Sequence, residues 1–195
     1  MKRNRKKVSV LIFVCLGLLL SLPWIAAGQD IRYDTLDYHV DLTVRENNSF
    51  VVQETIIVDF HSPAHGIYRY ITTGGEVFYR DDSGELKSIS GRLHIGAVDA
   101  GDVPVLQSRE SENVVIRLGS ADETVTGRQV YTLRYEAEAY DDGVPEFDQV
   151  YWDLIPTGWE TPIEQASFRI EMPREFDDAK LEWIIGSVGS GRTGE

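Results

Sequence analysis

The stretch LDYHVDLTVRENNSFVVQETIIVDF, residues 36–60, alternates apolar and polar side chains on both sides of a short polar turn. The apolar set of its first half is Leu36, Tyr38, Val40, Leu42 and Val44. Residues 47–49 supply the turn, and residues 50–60 return with the same period of two. Successive side chains of a β-strand point to opposite faces, so this stretch predicts a half-buried β-hairpin.

The same period recurs along the rest of the chain. Further alternating runs cover residues 86–98, 113–118, 129–140, 149–154, 165–172 and 181–185. Gly-, Asp- and Ser-rich turns separate them, and no 3.6-residue period is found outside the N-terminus. About eight strands at this spacing predict an all-β domain over residues 30–185, an antiparallel β-sandwich that is immunoglobulin-like in the loose sense. The cysteine–tryptophan–cysteine pattern of antibody domains is absent.

A basic and then apolar N-terminus precedes this domain. Residues 1–7 contain five lysines and arginines and no acid, residues 8–20 are almost purely apolar, and residues 26–28 are small. This is the order of a secretory signal, and Pro23 favours cleavage after Gly28. The alternative is a retained anchor helix, because the apolar run approaches the ~20 residues that span a bilayer. Residues 1–28 are therefore predicted to be a signal peptide or membrane anchor, with the remainder exported.

The charge and cysteine content narrow the function. The chain has 32 aspartates and glutamates against 19 lysines and arginines, a formal net charge of −13. Without the five positive charges of residues 1–28, the remainder carries −18. Such an acidic domain is a poor match for nucleic acid, so no nucleic-acid partner is predicted. Cys15 is the only cysteine, so the exported part has no disulfide framework and no thiol nucleophile.

Glu54 stands on the apolar face of residues 50–60. A buried carboxylate without a partner costs several kcal/mol, so Glu54 on that face needs a cation or hydrogen bonds. Arg69 is the nearest suitable cation along the chain, and the guanidinium fork matches a carboxylate. We therefore predict a structural ion pair between Glu54 and Arg69. The alternative is that Glu54 lies at an exposed edge of the sheet.

Two tryptophans lie seven residues apart in YWDLIPTGWETPI, residues 151–163. Trp152 shares a face with Leu154, which predicts that it fills the core and that its indole N–H finds an acceptor. Trp159 follows a Pro-Thr-Gly turn and is expected at a strand edge or corner. There it is a candidate ligand-facing aromatic for a sugar, with packing as the alternative role.

Acidic turns offer oxygen atoms of the kind that bind calcium. Asp141, Asp142 and Asp148 are the weak candidates, because extracellular calcium sites use such loops. The turns do not follow the helix–loop–helix calcium pattern, and acid-rich turns are common without metal. No metal site and no cofactor are predicted.

Motifs of catalysis are missing from the sequence. The spacing of Asp59, His61 and His65 falls in an expected loop and fixes no metal geometry. There is no Gly-x-Ser-x-Gly elbow, no His-Glu-x-x-His and no phosphate-binding glycine loop. Two carboxylates distant in sequence would suffice for glycoside hydrolysis, which leaves that chemistry open. The prediction is that the protein is not an enzyme.

Several blocks together carry a family resemblance. They are residues 42–60 with the Val52-x-Glu54 step, 65–69, 131–135, 151–153, 158–163 and 168–173. In this order they resemble the bacterial and archaeal membrane-protein family known as domain of unknown function 2207, over most of residues 31–173. The resemblance implies a signal, an extracytoplasmic β-rich domain and then transmembrane helices, and it supplies no catalytic residues. Because the sequence stops at Glu195, before a second membrane segment, we expect a fragment whose β-domain continues, with residues 186–195 as a Gly/Ser-rich tail or the start of the missing segment.

These observations predict a non-catalytic extracytoplasmic β-sandwich module of a bacterial membrane-associated protein, with an interaction or structural role. The expected partners are the membrane, through the N-terminal segment and a missing C-terminal segment, and an unidentified protein or envelope component. The expected location is the cell membrane, with the domain on the extracytoplasmic side. The alternative is a ligand-binding module for envelope carbohydrate or calcium.

Overall fold

The computed structural model describes residues 7–14, 32–80, 83–139, 147–150, 152–156, 159–175 and 181–185. Every regular element within these ranges is a β-strand, so the predicted all-β class is confirmed. In the same ranges, no helix has the length and apolar character required to cross a membrane. Residues 186–195, predicted to be a tail, lie outside them.

The described strands follow one another in a simple chain order. They are β1 (Lys7–Val14), β2 (Tyr33–Val44), β3 (Ser49–Ala64), β4 (Ile67–Thr72), β5 (Gly74–Arg80), β6 (Leu86–Ile95), β7 (Val105–Glu110), β8 (Asn113–Leu118), β9 (Val125–Ala139), β10 (Phe147–Val150), β11 (Ala166–Glu171) and β12 (Leu181–Ile185). The large sheet has the order β11-β2-β3-β9-β6-β5, and the small sheet has the order β4-β8-β7. A third sheet has the order β10-β1-β12.

The predicted hairpin is the centre of the large sheet. β2 and β3 are antiparallel, with Val44 opposite Phe50 and Val40 opposite Glu54. Asn48 takes a positive φ of 59° in the connecting turn, a conformation that asparagine tolerates better than most residues. β9 pairs with the other side of β3 over almost its whole length, so β3 is a central strand.

The large and small sheets share one hydrophobic core. The alternating apolar residues of β2, β3 and β9 are buried and form one cluster with those of β4 and β8. Members from the large sheet include Tyr38, Val52 and Leu133, and those from the small sheet include Ile67 and Ile116. The side chains that point away from the core on β2 and β3 are polar more often than apolar, as a period of two requires.

One expectation about the strands is corrected. β11 runs parallel to β2, with Phe168 opposite Val40, so the large sheet is mixed rather than purely antiparallel. β11 lies far from β2 along the chain, so the two strands are not joined by a hairpin turn, which would make them antiparallel. Residues 7–14, within the predicted signal or anchor, are described as β1, parallel to β10 and β12. The rest of residues 1–28 lies outside the described residues, so the signal or anchor stays a prediction. A short apolar run is compatible with a strand or a helix, because periodicity does not distinguish the two.

A pair of glycines joins the start of β4 to the end of β8. Gly66 and Gly119 have positive φ values of 111° and 133°. A Cβ atom on Gly66 would lie 1.8 Å from the carbonyl oxygen of Leu118, and one on Gly119 would lie 2.2 Å from that of His65. Only glycine fits both positions, since backbone approaches backbone there.

Candidate functional site

A buried carboxylate and guanidinium connect the large sheet to the small one. Glu54 of β3 and Arg69 of β4 are 1% and 3% exposed. The Arg69 Nε atom donates to Glu54 Oε2 at 2.8 Å, and Nη2 donates to Oε1 at 3.0 Å. The two parallel bonds form a bidentate fork, the strongest geometry for this pair. The structure therefore brings together the two residues for which the sequence predicted a structural ion pair.

Two tyrosines complete the hydrogen bonding of the carboxylate. The Tyr135 hydroxyl donates to Glu54 Oε1 at 2.6 Å, and the Tyr38 hydroxyl donates to Oε2. Arg69 also donates through Nη1 to the carbonyl oxygen of Tyr70. We call Tyr38, Glu54, Arg69 and Tyr135 the Glu54 cluster.

Strand register explains how these side chains meet. Val40 and Leu133 lie directly opposite Glu54 on the neighbouring strands β2 and β9. Tyr38 and Tyr135 are each two residues from those positions, so they are diagonal neighbours of Glu54 on the same face. Long aromatic side chains reach across such diagonals. Arg69 comes from the inward face of β4, where it alternates with Ile67 and Ile71.

The electrostatics of the Glu54 cluster keep the pair ionised. Burial raises the pKa of Glu54, but Arg69 and the hydrogen bonds from Tyr135 and Tyr38 outweigh burial and hold the pKa of this carboxyl below its ordinary value of 4.5. Burial lowers the pKa of Arg69, and Glu54 reverses this effect and raises it. Burial, with the neighbouring carboxylate, raises the pKa of both tyrosines well above 10.0, so they remain neutral donors.

The Glu54 cluster is suited to holding the two sheets together rather than to chemistry on a substrate. All four side chains are at most 3% exposed. Among the described residues, the buried side-chain atoms without a hydrogen-bond partner are Asp37 Oδ1 and Arg117 Nε, neither of which belongs to the cluster. A fully paired and dry carboxylate has no free lone pair for a water or a substrate.

The two tryptophans occupy different environments. Trp152 is 3% exposed and packs against Phe50, with ring centroids 5.6 Å apart. Trp159 is partly buried, and its ring is T-shaped to the ring of Tyr38, with centroids 5.4 Å apart. Its Nε1 donates to Thr35 Oγ1 at 2.8 Å. Thr35 also shares a 2.5 Å hydrogen bond with Thr161. Trp159 thus closes a corner of the core, and this geometry gives no support to a sugar platform.

The metal candidates are not brought together in the described residues. Asp141 and Asp142 lie outside them, and Asp148 lies in β10 opposite Val8. His61 contacts the Asp34 carboxylate at 2.9 Å, and His65 contacts a backbone carbonyl oxygen. No group of three or more His, Cys, Asp or Glu side chains that could hold a metal ion occurs in the described part of the chain.

A comparison with protein families identifies the chain. The family model described as "Predicted membrane protein (DUF2207) N-terminal domain" matches residues 34–193. The chain belongs to this family. The match confirms the family resemblance of the sequence blocks and places the protein among predicted membrane proteins of unknown function. No curated protein matches the chain.

The solved structures similar to this DUF2207 protein include distant neighbours. An M1 zinc metallopeptidase from Deinococcus radiodurans has 15% sequence identity and a TM-score of 0.34, over 57% of this chain and 21% of that one. A variant of the Deinococcus radiodurans enzyme bound to a Tyr-Ser-Ala substrate has 17% identity and a TM-score of 0.33, over 58% and 22%. The DUF2207 chain therefore spans less than a quarter of the length of these structures.

Sequence reasoning missed the tyrosines of the Glu54 cluster in this DUF2207 domain. The sequence places Tyr38 on an apolar face and Tyr135 in the alternating run of residues 129–140, but it assigns no acceptor to either hydroxyl group. A tyrosine on a buried face needs a hydrogen-bond partner, and a carboxylate on the facing strand is the available one. That signal was present in residues 36–60, where Tyr38 and Glu54 belong to the same predicted face.

Proposed function

We propose that this chain provides a non-catalytic, extracytoplasmic β-sandwich module of a membrane protein, with a structural or interaction role. The large and small sheets are the two layers of the sandwich, and residues 1–28 are the export signal or anchor. Membership of a predicted membrane-protein family supports the membrane association. The five basic residues ahead of the apolar run support an orientation with the domain outside.

The observation that carries the non-catalytic role is the dry and fully paired Glu54 cluster. Catalytic acids and bases are often groups with a shifted pKa, and they must also be able to contact a substrate. The four groups of the Glu54 cluster have shifted pKa values and are sealed between two sheets, with each polar side-chain atom hydrogen-bonded within the domain. Such a cluster fixes how one sheet packs on the other.

Cysteine labelling in intact cells tests the location of the domain. In a Cys15→Ser background the chain has no other thiol, so Val130→Cys, at a 55% exposed position on β9, is a reporter for a membrane-impermeant maleimide. Leu118→Cys, at a fully buried position, is the matched control. We expect labelling of Val130→Cys in intact cells and none of Leu118→Cys. Labelling of Val130→Cys only after lysis would place the domain on the cytoplasmic side and refute this orientation.

A separation of stability from turnover tests the non-catalytic role. Glu54→Gln is expected to lower the free energy of unfolding strongly. A library of peptide, ester and glycoside substrates is expected to give no turnover with the parent chain at any tested pH. Turnover by the parent that Glu54→Gln or another single carboxylate substitution abolishes, with stability retained, would show an enzyme instead.

A further inference from the structure

The outward face of the small sheet points away from the hydrophobic core, and the packing of the domain assigns no role to it. Register aligns its outward side chains in three rows, which are Tyr68, Arg117 and Leu106, then Tyr70, Val115 and Ser108, and then Thr72, Asn113 and Glu110. Tyr68, Tyr70 and Leu106 are 46%, 40% and 54% exposed. We call these nine residues the tyrosine face. Exposed apolar surface of this kind is typical of an interaction site.

The tyrosine face is distinct from the core. Val115, in its middle row, is buried but does not belong to the hydrophobic core cluster that the inward residues of β4 and β8 join. The rings of Tyr68 and Tyr70 lie side by side, with centroids 6.5 Å apart and planes 33° apart. Tyrosine and arginine are the residue types that most often dominate binding energy at protein interfaces.

Charge is distributed unequally along the tyrosine face. Arg117 stands in the first row, and its Nε atom has no hydrogen-bond partner among the described residues. Glu110 stands in the third row, two rows away on the adjacent strand. Glu110 makes the third-row end of the face the negative one. Burial and the nearby charges of Glu110 and Glu160 also raise the pKa of Tyr70.

We propose that the tyrosine face binds the same face of a second copy of this chain. A two-fold axis that lies along the middle row places the first row of one copy against the third row of the other. Arg117 of each copy then faces the Asn113–Glu110 end of its mate, while Tyr70 and Ser108 meet their own counterparts. A two-fold interface is isologous, so its surface must be complementary to itself, and this arrangement of charges satisfies that condition.

Charge also selects this arrangement among the face-to-face alternatives. A two-fold axis along the strands would place Arg117 against Arg117 and leave the negative ends opposed. Because the chain carries a net charge of −13, two copies repel at long range, and association needs a local cation against a local anion. Three short strands bury a small area, which is typical of weak association. Confinement to one membrane raises the local concentration and favours such a weak dimer.

Site-directed cross-linking of the intact chain in membranes tests the register. In the Cys15→Ser background, Ser108→Cys lies on the proposed axis and is expected to give a covalent dimer with a short bis-maleimide. Thr72→Cys is the matched control on the same face. In the proposed dimer, Thr72 of each copy lies opposite Tyr68 of the other. The two Thr72→Cys thiols are therefore separated by four residues, about 13 Å, along the strand and by a gap of about 10 Å between the sheets, which is beyond the reach of a short linker. No dimer from Ser108→Cys, equal dimer from Thr72→Cys, or a Ser108→Cys adduct with a different protein would each overturn the proposal.

A charge exchange tests the complementarity independently. Arg117→Glu and Glu110→Arg are each expected to weaken self-association of the purified intact chain about tenfold in sedimentation velocity, because each reverses two symmetric exposed ion pairs. The double variant Arg117→Glu with Glu110→Arg is expected to recover the parent affinity. Single variants that associate like the parent, or a double variant that is no better than the singles, would refute the Arg117–Glu110 contact.

Discussion

Replacing Glu54 with glutamine should destabilise the domain by a large part of its total stability. Glutamine keeps the size of the side chain but removes the negative charge opposite the buried Arg69, which is 3% exposed. Removing one member of a buried ion pair costs about 3–5 kcal/mol, because the remaining charge is left without compensation. A domain of this size is stable by about 5–15 kcal/mol in total.

Urea unfolding followed by tryptophan fluorescence measures this cost. With a slope of about 2 kcal/mol/M, a loss of about 4 kcal/mol moves the midpoint down by about 2 M. Trp152 is a suitable reporter because it is buried against Phe50 in the core. Glu138→Gln, an exposed carboxylate on β9, is the matched control and is expected to change stability by no more than about 0.5 kcal/mol.

An all-apolar replacement of the Glu54 cluster separates charge from packing. Tyr38→Phe, Glu54→Leu, Arg69→Met and Tyr135→Phe together remove every polar group that needs a partner. Buried ion pairs replaced in this way often leave stability unchanged or increased, so the quadruple variant should lie within about 2 kcal/mol of the parent. A cost of less than about 1 kcal/mol for Glu54→Gln would refute an uncompensated buried charge on Arg69. A quadruple variant as unstable as Glu54→Gln would assign the cost to packing instead of to the orphaned charge.

Three further outcomes follow from the same structure. The pKa of Glu54 in the folded state is below its unfolded value, so the stability that Glu54 contributes is present above pH 4.5 and is lost as the pH falls. The unfolding curves of the parent and Glu54→Gln should therefore converge in acid. A constant difference between their free energies of unfolding down to pH 3 would contradict this. Gly66→Ala should cost about 3 kcal/mol or more in thermal or urea unfolding, because its Cβ would strike a backbone oxygen, while Gly75→Ala, with open space around it, should be nearly neutral. Trp152→Ala should cost about 3–5 kcal/mol, and Trp159→Phe only about 1 kcal/mol for the lost hydrogen bond to threonine, so equal costs would show that the two environments are misassigned.

The long central strands were predictable because one face of each is buried without interruption. The alternation in residues 36–60 locates β2 and β3 to within a few residues, and residues 113–118 coincide with β8. The end of β3 was harder to predict, since the strand continues through Pro63 to Ala64 across an irregularity in its pairing with β9. Proline is tolerated at such irregularities, so its presence did not mark the end of the strand.

The Glu54 cluster was predictable only in part because its members come from four strands. A carboxylate on an otherwise apolar face is visible in the local sequence around Glu54. It indicates that a cation is needed, but it does not indicate which residues of the other strands lie nearby. The choice of Arg69 required only a nearby arginine on the chain. Tyr38 and Tyr135 join through the register of β2 and β9 against β3, and register is set by the global sheet order rather than by a local pattern.

The tyrosine face was invisible in the sequence for a related physical reason. β4 places Arg69 between two inward isoleucines and Tyr68 and Tyr70 among its outward residues, so polarity and burial disagree at these three positions. β7 is exposed along nearly all of its length and shows no apolar alternation. An alternating pattern indicates a strand when one face is apolar and buried and the other is polar and exposed. A strand is not indicated in this way where a charge on the inward face is neutralised by another sheet and the outward face is apolar. The inward arginine and the outward tyrosines of β4 have one origin. Arg69 points inward because Glu54 pairs with it, and the alternation of the strand then places Tyr68 and Tyr70 on the outward face. A domain that needed only solubility would place polar residues at those outward positions, which is why Tyr68 and Tyr70 are better explained by a surface that covers them.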